Sequence, residues 1–291
     1  MKDSRVAVIA KGLEKIGKSS ANQVINFHSG SLFELYKISI FENDRVTEIA
    51  AKVMNLSDMA ASEMNGLKAL ASNGCRVPKT YGVYAEGEYA ILFMEFIPRG
   101  NNHNGKYILE NLRNLYATPC EKWGWEEDNF IGSLPQKNGV FDKFADFYWN
   151  CRFEPQLKLA IEKKLLKQTH SRALETILNQ FSAKWELDKY TPRLIHGDLW
   201  NGNILSSSNG SVYFIDPSIA CSHHEQDLAM MNLFGSALNM LELEKFTMEM
   251  GMPEHISERI PFWQIYPLLV HVNLFGNSYT GSLDRIISRY S

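Results

Sequence analysis

Between Leu194 and Asp216 the chain reads LIHGDLWNGNIL, then a polar stretch, then SVYFID. His196-Gly197-Asp198 directly follows an apolar, strand-like run. Asn203 comes five residues after Asp198, and Asp216 comes thirteen after Asn203 at the end of a second such run. Asp and Asn are common in turns, and an HGD triplet alone could merely cap a strand. Three oxygen-bearing side chains, each beside a strand end at these spacings, are hard to obtain from turn chemistry alone. Phosphoryl transfer from ATP needs a carboxylate to orient or deprotonate the attacking hydroxyl, and oxygen ligands for Mg²⁺. Asp198 fits the first role; Asn203 and Asp216 fit the second.

The rest of the chain sorts into a β-rich part followed by a helical one. Residues 1–20 read as a leading helix. Residues 32–41 (LFELYKISIF) predict the first strand, and residues 46–54 its return after the Glu42-Asn43-Asp44-Arg45 turn. Ser57 or Asp58 opens a helix that closes near Asn73-Gly74, and Pro78 forbids its continuation. Residues 81–83 and 89–96 flank Glu86-Gly87-Glu88 as a further hairpin. Beyond Ile97-Pro98-Arg99-Gly100 the pattern turns helical, around 108–116, 141–153, 156–168 and 171–185. Short strands at 194–195 and 212–215 interrupt it, and 227–290 is again mainly helical. This order predicts an α+β fold, divided into residues 1–97 and 98–291.

A second constellation lies in the first part. On the helix after Ser57, Ala60, Glu63, Leu67 and Leu70 fall on one face, so a carboxylate shares the apolar stripe. Such a group is costly to bury unless paired. Lys52, on the preceding strand between Ala51 and Val53, is the candidate partner. A strand lysine paired with a helix glutamate is how kinases hold the α- and β-phosphates of ATP; the plain alternative is two snorkelling surface charges. Ser29, Gly30 and Ser31 precede the first expected strand as a sparse phosphate loop, with a plain loop as the equal alternative. The run ILFMEFI suits a hinge where backbone groups around Glu95 and Ile97 read adenine, and it equally suits a core strand ending in a loop.

Composition narrows the partners. A formal net charge of -3 gives no reason to expect nucleic acid or a membrane surface. No apolar run approaches the ~18 residues of a membrane span, and the N-terminal apolar run is too short for a signal segment. A cytoplasmic location is expected. The four cysteines, Cys75, Cys120, Cys151 and Cys221, show no CxxC pair and are expected to be buried free thiols.

At the quoted residues the chain resembles the fructosamine (ketosamine) kinase family. The family places a tryptophan in its HGDLWxGN loop, as His196–Asn203 does here with Trp200. WGWEEDNFIG from Trp123, RFEPQLKLA from Arg152, Asp216-Pro217, HHEQDLAMMNLFG from His223 and HVNLFGNSYTG from His271 are similar to further family segments. The resemblance implies a bilobal protein-kinase-like fold, with a small β-rich lobe and a larger helical one. It also implies phosphorylation of the sugar 3-hydroxyl of ketosamines, free or protein-bound, after which the sugar is lost and the amine restored. Asp198 would be the base, Asn203 and Asp216 the Mg²⁺ ligands, and Lys52 with Glu63 the phosphate clamp. Asp227 would brace the catalytic loop.

Trp200 offers a flat face for a sugar or its attached chain, or else fills the core under the loop. Trp123, Trp125 and Phe130 read as core or pocket wall. Ser218–Ser222 departs from the Tyr-Tyr-Gly type of segment usual after Asp-Pro. The phosphate loop lacks the cysteine that links some members into redox-sensitive dimers. The competing readings are a kinase of another hydroxylated amine, such as an aminoglycoside or a choline-like compound, and a nucleotide-binding pseudokinase.

Overall fold

The computed structural model describes residues 2–29, 33–55, 57–100 and 104–290. It forms two compact units. The first is Met1–His103 with Leu205–Asp216, and the second is Asn104–Ile204 with Pro217–Ser291.

The first unit opens with helix α1 (Lys2–Lys15), followed by strands β1 (Ala21–Ser29), β2 (Glu34–Glu42) and β3 (Arg45–Met54), helix α2 (Ser57–Ser72), and strands β4 (Thr80–Glu86) and β5 (Tyr89–Glu95). The strands form one antiparallel sheet in the order β1-β2-β3-β5-β4. Asn43 and Asp44 both take positive φ, 52° and 58°, the backbone of a tight two-residue hairpin between β2 and β3. Alternation along β3 then decides what faces what. Ile49, Ala51 and Val53 pack with Ile9 and Leu13 of α1, whereas Ala50 and Met54 pack with Ala60 and Leu67 of α2. Lys52 shares the second face, so its stem runs toward α2.

The expected first strand is thus the second. β1 precedes it, and pairs with β2 from Ala21↔Ile40 to Ser29↔Glu34. Its side chains from Asn22 to His28 are mostly exposed, with polar residues interleaved, so no apolar alternation announces it. Ser29 closes β1; Gly30 and Ser31 lie outside the described residues.

The second unit is chiefly helical. Helices Phe144–Tyr148 and Glu154–Glu162 are joined through a π-helical turn, Trp149–Phe153. The helix expected over 156–168 therefore starts earlier and stops at Glu162, and Gln168–Lys184 is a separate helix. Around them pack Phe144, Tyr148, Phe153, Phe181, Phe262 and Trp263, all buried. A small sheet joins strands Arg193–Ile195, Ala220–Ser222, Trp123–Trp125 and Gly139–Phe141, in that order, and only the first of them was expected from sequence. Three-residue strands are too short to show a period.

That sheet overturns part of the cysteine expectation. Cys120 and Cys221 form a disulfide across a sequence separation of 101. Cys221 lies opposite Leu194 in the sheet, and the Cys120 N–H donates to Pro192 O, so the same strand brings both sulfurs together. No spacing rule reads a pair this distant. Cys75 and Cys151 are free and buried. Among the described residues no helix is long and apolar enough to cross a membrane.

Candidate active site

Within the first unit the chemistry gathers on Lys52. Its ammonium lies 2.7 Å from Glu63 Oε2 and 2.7 Å from Asp216 Oδ1, and it is 4% exposed. The Phe33 ring sits 4.2 Å from the same nitrogen. Burial works against the ammonium, but Asp216 and Glu63 outweigh it and hold its pKa above the ordinary lysine value. Burial pushes Glu63 up to about 7 against the pull of Lys52, and Asp216 adds to the rise. One ammonium thus bridges two carboxylates, Glu63 on the buried side and the partly exposed Asp216 on the other. Asp216 itself takes φ 57°, a left-handed backbone rare outside glycine, just past the strand Val212–Phe214. The pairing of Lys52 with Glu63 follows the sequence expectation; the third member, Asp216, was not foreseen as its neighbour.

Lys52→Met is expected to raise the KM for ATP and to lower kcat, by roughly a hundredfold in kcat/KM, because the strand lysine of a kinase positions and neutralises phosphate oxygens. Steady-state kinetics with ATP varied at saturating acceptor is the check. An unchanged ATP KM would remove Lys52 from the phosphate site.

At the expected hinge, the Glu95 N–H is taken by Lys79 O at 2.8 Å. Its carbonyl is therefore the group it can offer an adenine. Ile97 is 8% exposed, and no hydrogen bond from its N–H is found among the described residues.

Within the second unit, strand Arg193–Ile195 delivers the chain into His196-Gly197-Asp198. Gly197 has φ 83°, and a Cβ there would lie 2.0 Å from Ser218 O, so only glycine lets the loop pass. Asp227 clamps the turn. Its two oxygens accept the N–H groups of His196 and Gly197, each at 2.8 Å, and the Tyr116 hydroxyl donates to it at 2.8 Å. Burial pushes Asp227 up to about 6, with those hydrogen bonds pulling the other way. Asp198 follows, its N–H 3.3 Å from His196 Nδ1. Asn203 reaches back across a single 3₁₀ turn, Asn201–Asn203, and its Nδ2 donates to Asp198 O at 2.8 Å and Asp198 Oδ2 at 3.2 Å.

These contacts test the donor chemistry for Mg²⁺. Because Nδ2 of Asn203 is engaged by Asp198, the amide is oriented and Oδ1 is the atom it presents. Lys52 takes Oδ1 of Asp216, which leaves Oδ2 as a carboxylate donor. The carboxylate oxygen of Asp216 and the carboxamide oxygen of Asn203 are each a hard donor of the kind Mg²⁺ takes.

Trp200 is 40% exposed, which removes it from the core. Its indole lies over Gly202, where a Cβ would come within 2.3 Å of the ring, and the Phe234 ring stands edge-on at 6.4 Å. Three supporting residues escaped the sequence reading. Tyr116 was seen only as the end of a helix. Asn129 Nδ2 donates to Ile219 O at 2.8 Å, and Gln136 Nε2 bridges Asn129 Oδ1 at 2.7 Å and Ser218 O at 3.2 Å. They hold the segment after Asp216-Pro217. The signal available was the DNFIG stretch, whose polar members sit among apolar ones.

A small antiparallel sheet carrying a buried lysine–glutamate pair, and a helical unit presenting Asp198 and Asn203 on a clamped loop, define a phosphotransferase with a protein-kinase-like fold. Comparison with known proteins narrows the class. The profile described as Fructosamine kinase matches residues 6–291. The chain is 33% identical over 233 residues to an Enterococcus faecium protein named "Probable ketoamine kinase", covering 79% of this chain and 82% of that one. It is 30% identical over 241 residues to the protein-ribulosamine 3-kinase, chloroplastic, of Arabidopsis thaliana, covering 80% and 72%. A crystal structure of a candidate fructosamine-3-kinase from Thermobifida fusca superposes with TM-score 0.83 at 27% identity, over 96% of this chain and 97% of that one. An aminoglycoside phosphotransferase crystallised with ADP and hygromycin B shares the fold, with TM-score 0.61 at 13% identity over 96% and 98%. The chain belongs to the fructosamine kinase family. It is an ATP-dependent kinase that phosphorylates an alcohol group.

Proposed function

We propose that this kinase transfers the γ-phosphoryl group of ATP to the sugar 3-hydroxyl of ketosamines, and that the product loses its sugar to regenerate the amine. The observation that carries the reading is Trp200, an exposed indole two residues past Asp198 on the clamped loop. One aromatic face beside the carboxylate suits a sugar carried on an apolar chain.

Each residue then has a task. The first unit binds the nucleotide: Lys52, fixed by Glu63, holds phosphate oxygens, the Glu95 carbonyl and Ile97 N–H read adenine, and Ser29, Gly30 and Ser31 approach the phosphates. The second unit presents the acceptor. Asp198, with one oxygen held by Asn203, orients the attacking hydroxyl and takes its proton. Asp216 and Asn203 would hold Mg²⁺, which supplies charge neutralisation on the transferring phosphoryl group. A cytoplasmic setting belongs to the same reading; there the Cys120–Cys221 bond would stand against a reducing thiol pool.

The deciding experiment is an ATP-consumption screen over synthetic fructosamines and ribulosamines beside aminoglycosides and choline. Turnover confined to the last two groups would overturn the ketosamine reading. Trp200→Ala sharpens it: kcat/KM for a ketosamine should fall roughly ten- to thirtyfold, while basal ATP hydrolysis and Tm stay near those of the unaltered protein. Equal loss of both activities with a lowered Tm would make Trp200 a structural residue.

A further inference from the structure

The strands Arg193–Ile195 and Ala220–Ser222 pair as far as Ile195 opposite Ala220, and there they part. In a continued antiparallel ladder the next residues to face each other would be His196 with Ile219 and Gly197 with Ser218. Instead the N–H groups of His196 and Gly197 donate to Asp227, and the carbonyls on the other side are taken by side chains. Asn129 Nδ2 donates to Ile219 O at 2.8 Å, and Gln136 Nε2 donates to Ser218 O at 3.2 Å. A backbone bond still crosses the gap, from the Ser218 N–H to His196 O at 2.9 Å.

The polarity of these bonds has one solution. Carbonyl oxygens only accept, so the amide nitrogens of both side chains must face them. Asn129 Oδ1 then accepts in turn, from Gln136 Nε2 at 2.7 Å. That leaves Gln136 Oε1 in need of a donor, and the Tyr266 hydroxyl, on helix Ile265–Phe275, supplies it at 2.5 Å. Asn129, Gln136, Ser218 and Tyr266 are all buried, and burial raises the pKa of Tyr266, so the phenol keeps the proton it donates. A buried amide engaged through both its oxygen and its nitrogen holds a single orientation.

We propose that Gln136, oriented by Tyr266, is a positioning residue for phosphoryl transfer. By holding Ser218 O it ends the ladder at Ile195, sets where the catalytic loop leaves the sheet, and so sets where Asp198 stands. The linkage is short. Ser218 binds His196, two residues before Asp198, and a Cβ on Gly197 would come within 2.0 Å of Ser218 O, so a shift of Ser218 is a shift of the loop. Asp227 fixes the turn through its N–H groups; Gln136, acting through Ser218, fixes it through the carbonyl of His196. This rests on the assignment of Asp198 as the base.

The test is a double-mutant cycle read in kcat, with the ketosamine, aminoglycoside or choline turned over fastest in the screen above as acceptor. Gln136→Met keeps the length of the side chain and removes its hydrogen bonds; Tyr266→Phe removes only the hydroxyl. A misplacement of about 1 Å at the reacting atoms can cost a hundredfold, and a loop still held by Asp227 moves less. Gln136→Met should therefore lower kcat by about tenfold, and Tyr266→Phe by about threefold, while the KM for ATP stays within about twofold. Placed on top of Asp198→Asn, Gln136→Met should cost less than about twofold more, because no base is left to misplace. A merely structural role would lower kcat equally with and without Asp198. That result overturns the proposal, as does a kcat left unchanged by both single substitutions. If Gln136→Met fails to fold, Tyr266→Phe carried through the same cycle decides between the same outcomes. Near-normal turnover by Asp198→Asn alone would remove the base assignment, and the proposal with it.

Discussion

Asp198→Asn should lower kcat by roughly 10²–10⁴-fold, the range that a positioned general base contributes, and leave ATP affinity nearly unchanged. The substitution keeps the shape of the side chain. Asn203 Nδ2, which donates to Asp198 Oδ2 at 3.2 Å, can still find a carboxamide oxygen there. What is lost is the capacity to take a proton from the acceptor hydroxyl. Under the proposed roles nucleotide affinity rests instead on Lys52, which lies in the first unit with Glu63 and Asp216. Pre-steady-state phosphorylation of a ketosamine, beside a nucleotide-binding titration, separates the two. Near-normal turnover in a folded Asp198→Asn protein would remove this residue from the chemistry.

Glu225→Ala should strongly destabilise the second unit. Glu225 and Arg259 are both 0% exposed, and the guanidinium meets the carboxylate through Nη2 at 2.7 Å and Nε at 2.9 Å. Trp263 Nε1 adds a hydrogen bond at 2.9 Å, and the Thr247 hydroxyl adds another. Burial is the largest influence and alone would favour the neutral acid, but the Arg259 hydrogen bonds together with the charges of His223, Arg259 and His224 outweigh it and hold Glu225 at about 2. Removing the carboxylate leaves a buried guanidinium without its counter-charge, a change that costs about 3–5 kcal/mol. In a domain of this size that is roughly a 10 °C fall in Tm, readable by calorimetry. A fall of less than about 2 °C, under 1 kcal/mol on the same scale, would mean that the pair is not a keystone of the fold. The pH dependence has a defined sign. The folded carboxylate titrates below its ordinary value of 4.5, so this stability is complete above that value and drains as the pH falls toward 2.

What could be read from sequence follows the distance over which each signal acts. Asp198 and Asn203 lie on one loop, so their spacing is nearly their geometry. Lys52 and Glu63 belong to consecutive elements, and the alternation of β3 with the period of α2 was enough to pair them. Lys52 and Asp216 are 164 residues apart, and their contact depends on how the later segment returns to the first sheet. The same holds for Cys120 with Cys221, and for Glu225 with Arg259 and Trp263. β1 was hidden for another reason: its exposed, polar-interleaved side chains hold a strand whose evidence is its hydrogen bonds to β2, which leave no mark in composition. The exposure of Trp200 was likewise undecided, because an indole in a loop is as compatible with a core as with a surface until Gly202 is seen beneath it.

The membership of Leu205–Asp216 in the first unit has a consequence for the order of assembly. Gly100 N–H binds Ser206 O at 2.7 Å, Phe214 N–H binds Arg76 O at 3.0 Å, and Lys52 receives its second carboxylate from Asp216. On the ribosome, the amino-terminal sheet emerges about a hundred residues before these partners do, an interval of several seconds at ordinary synthesis rates. During that wait Lys52 has only Glu63 to balance it, and the separate two-stranded sheet of Ile204–Ser206 and Val212–Phe214 has yet to be made. The first unit therefore cannot mature first and wait for the rest. It is finished only after the catalytic loop has been made, so a chain truncated before Asp216 has no complete lobe of either kind.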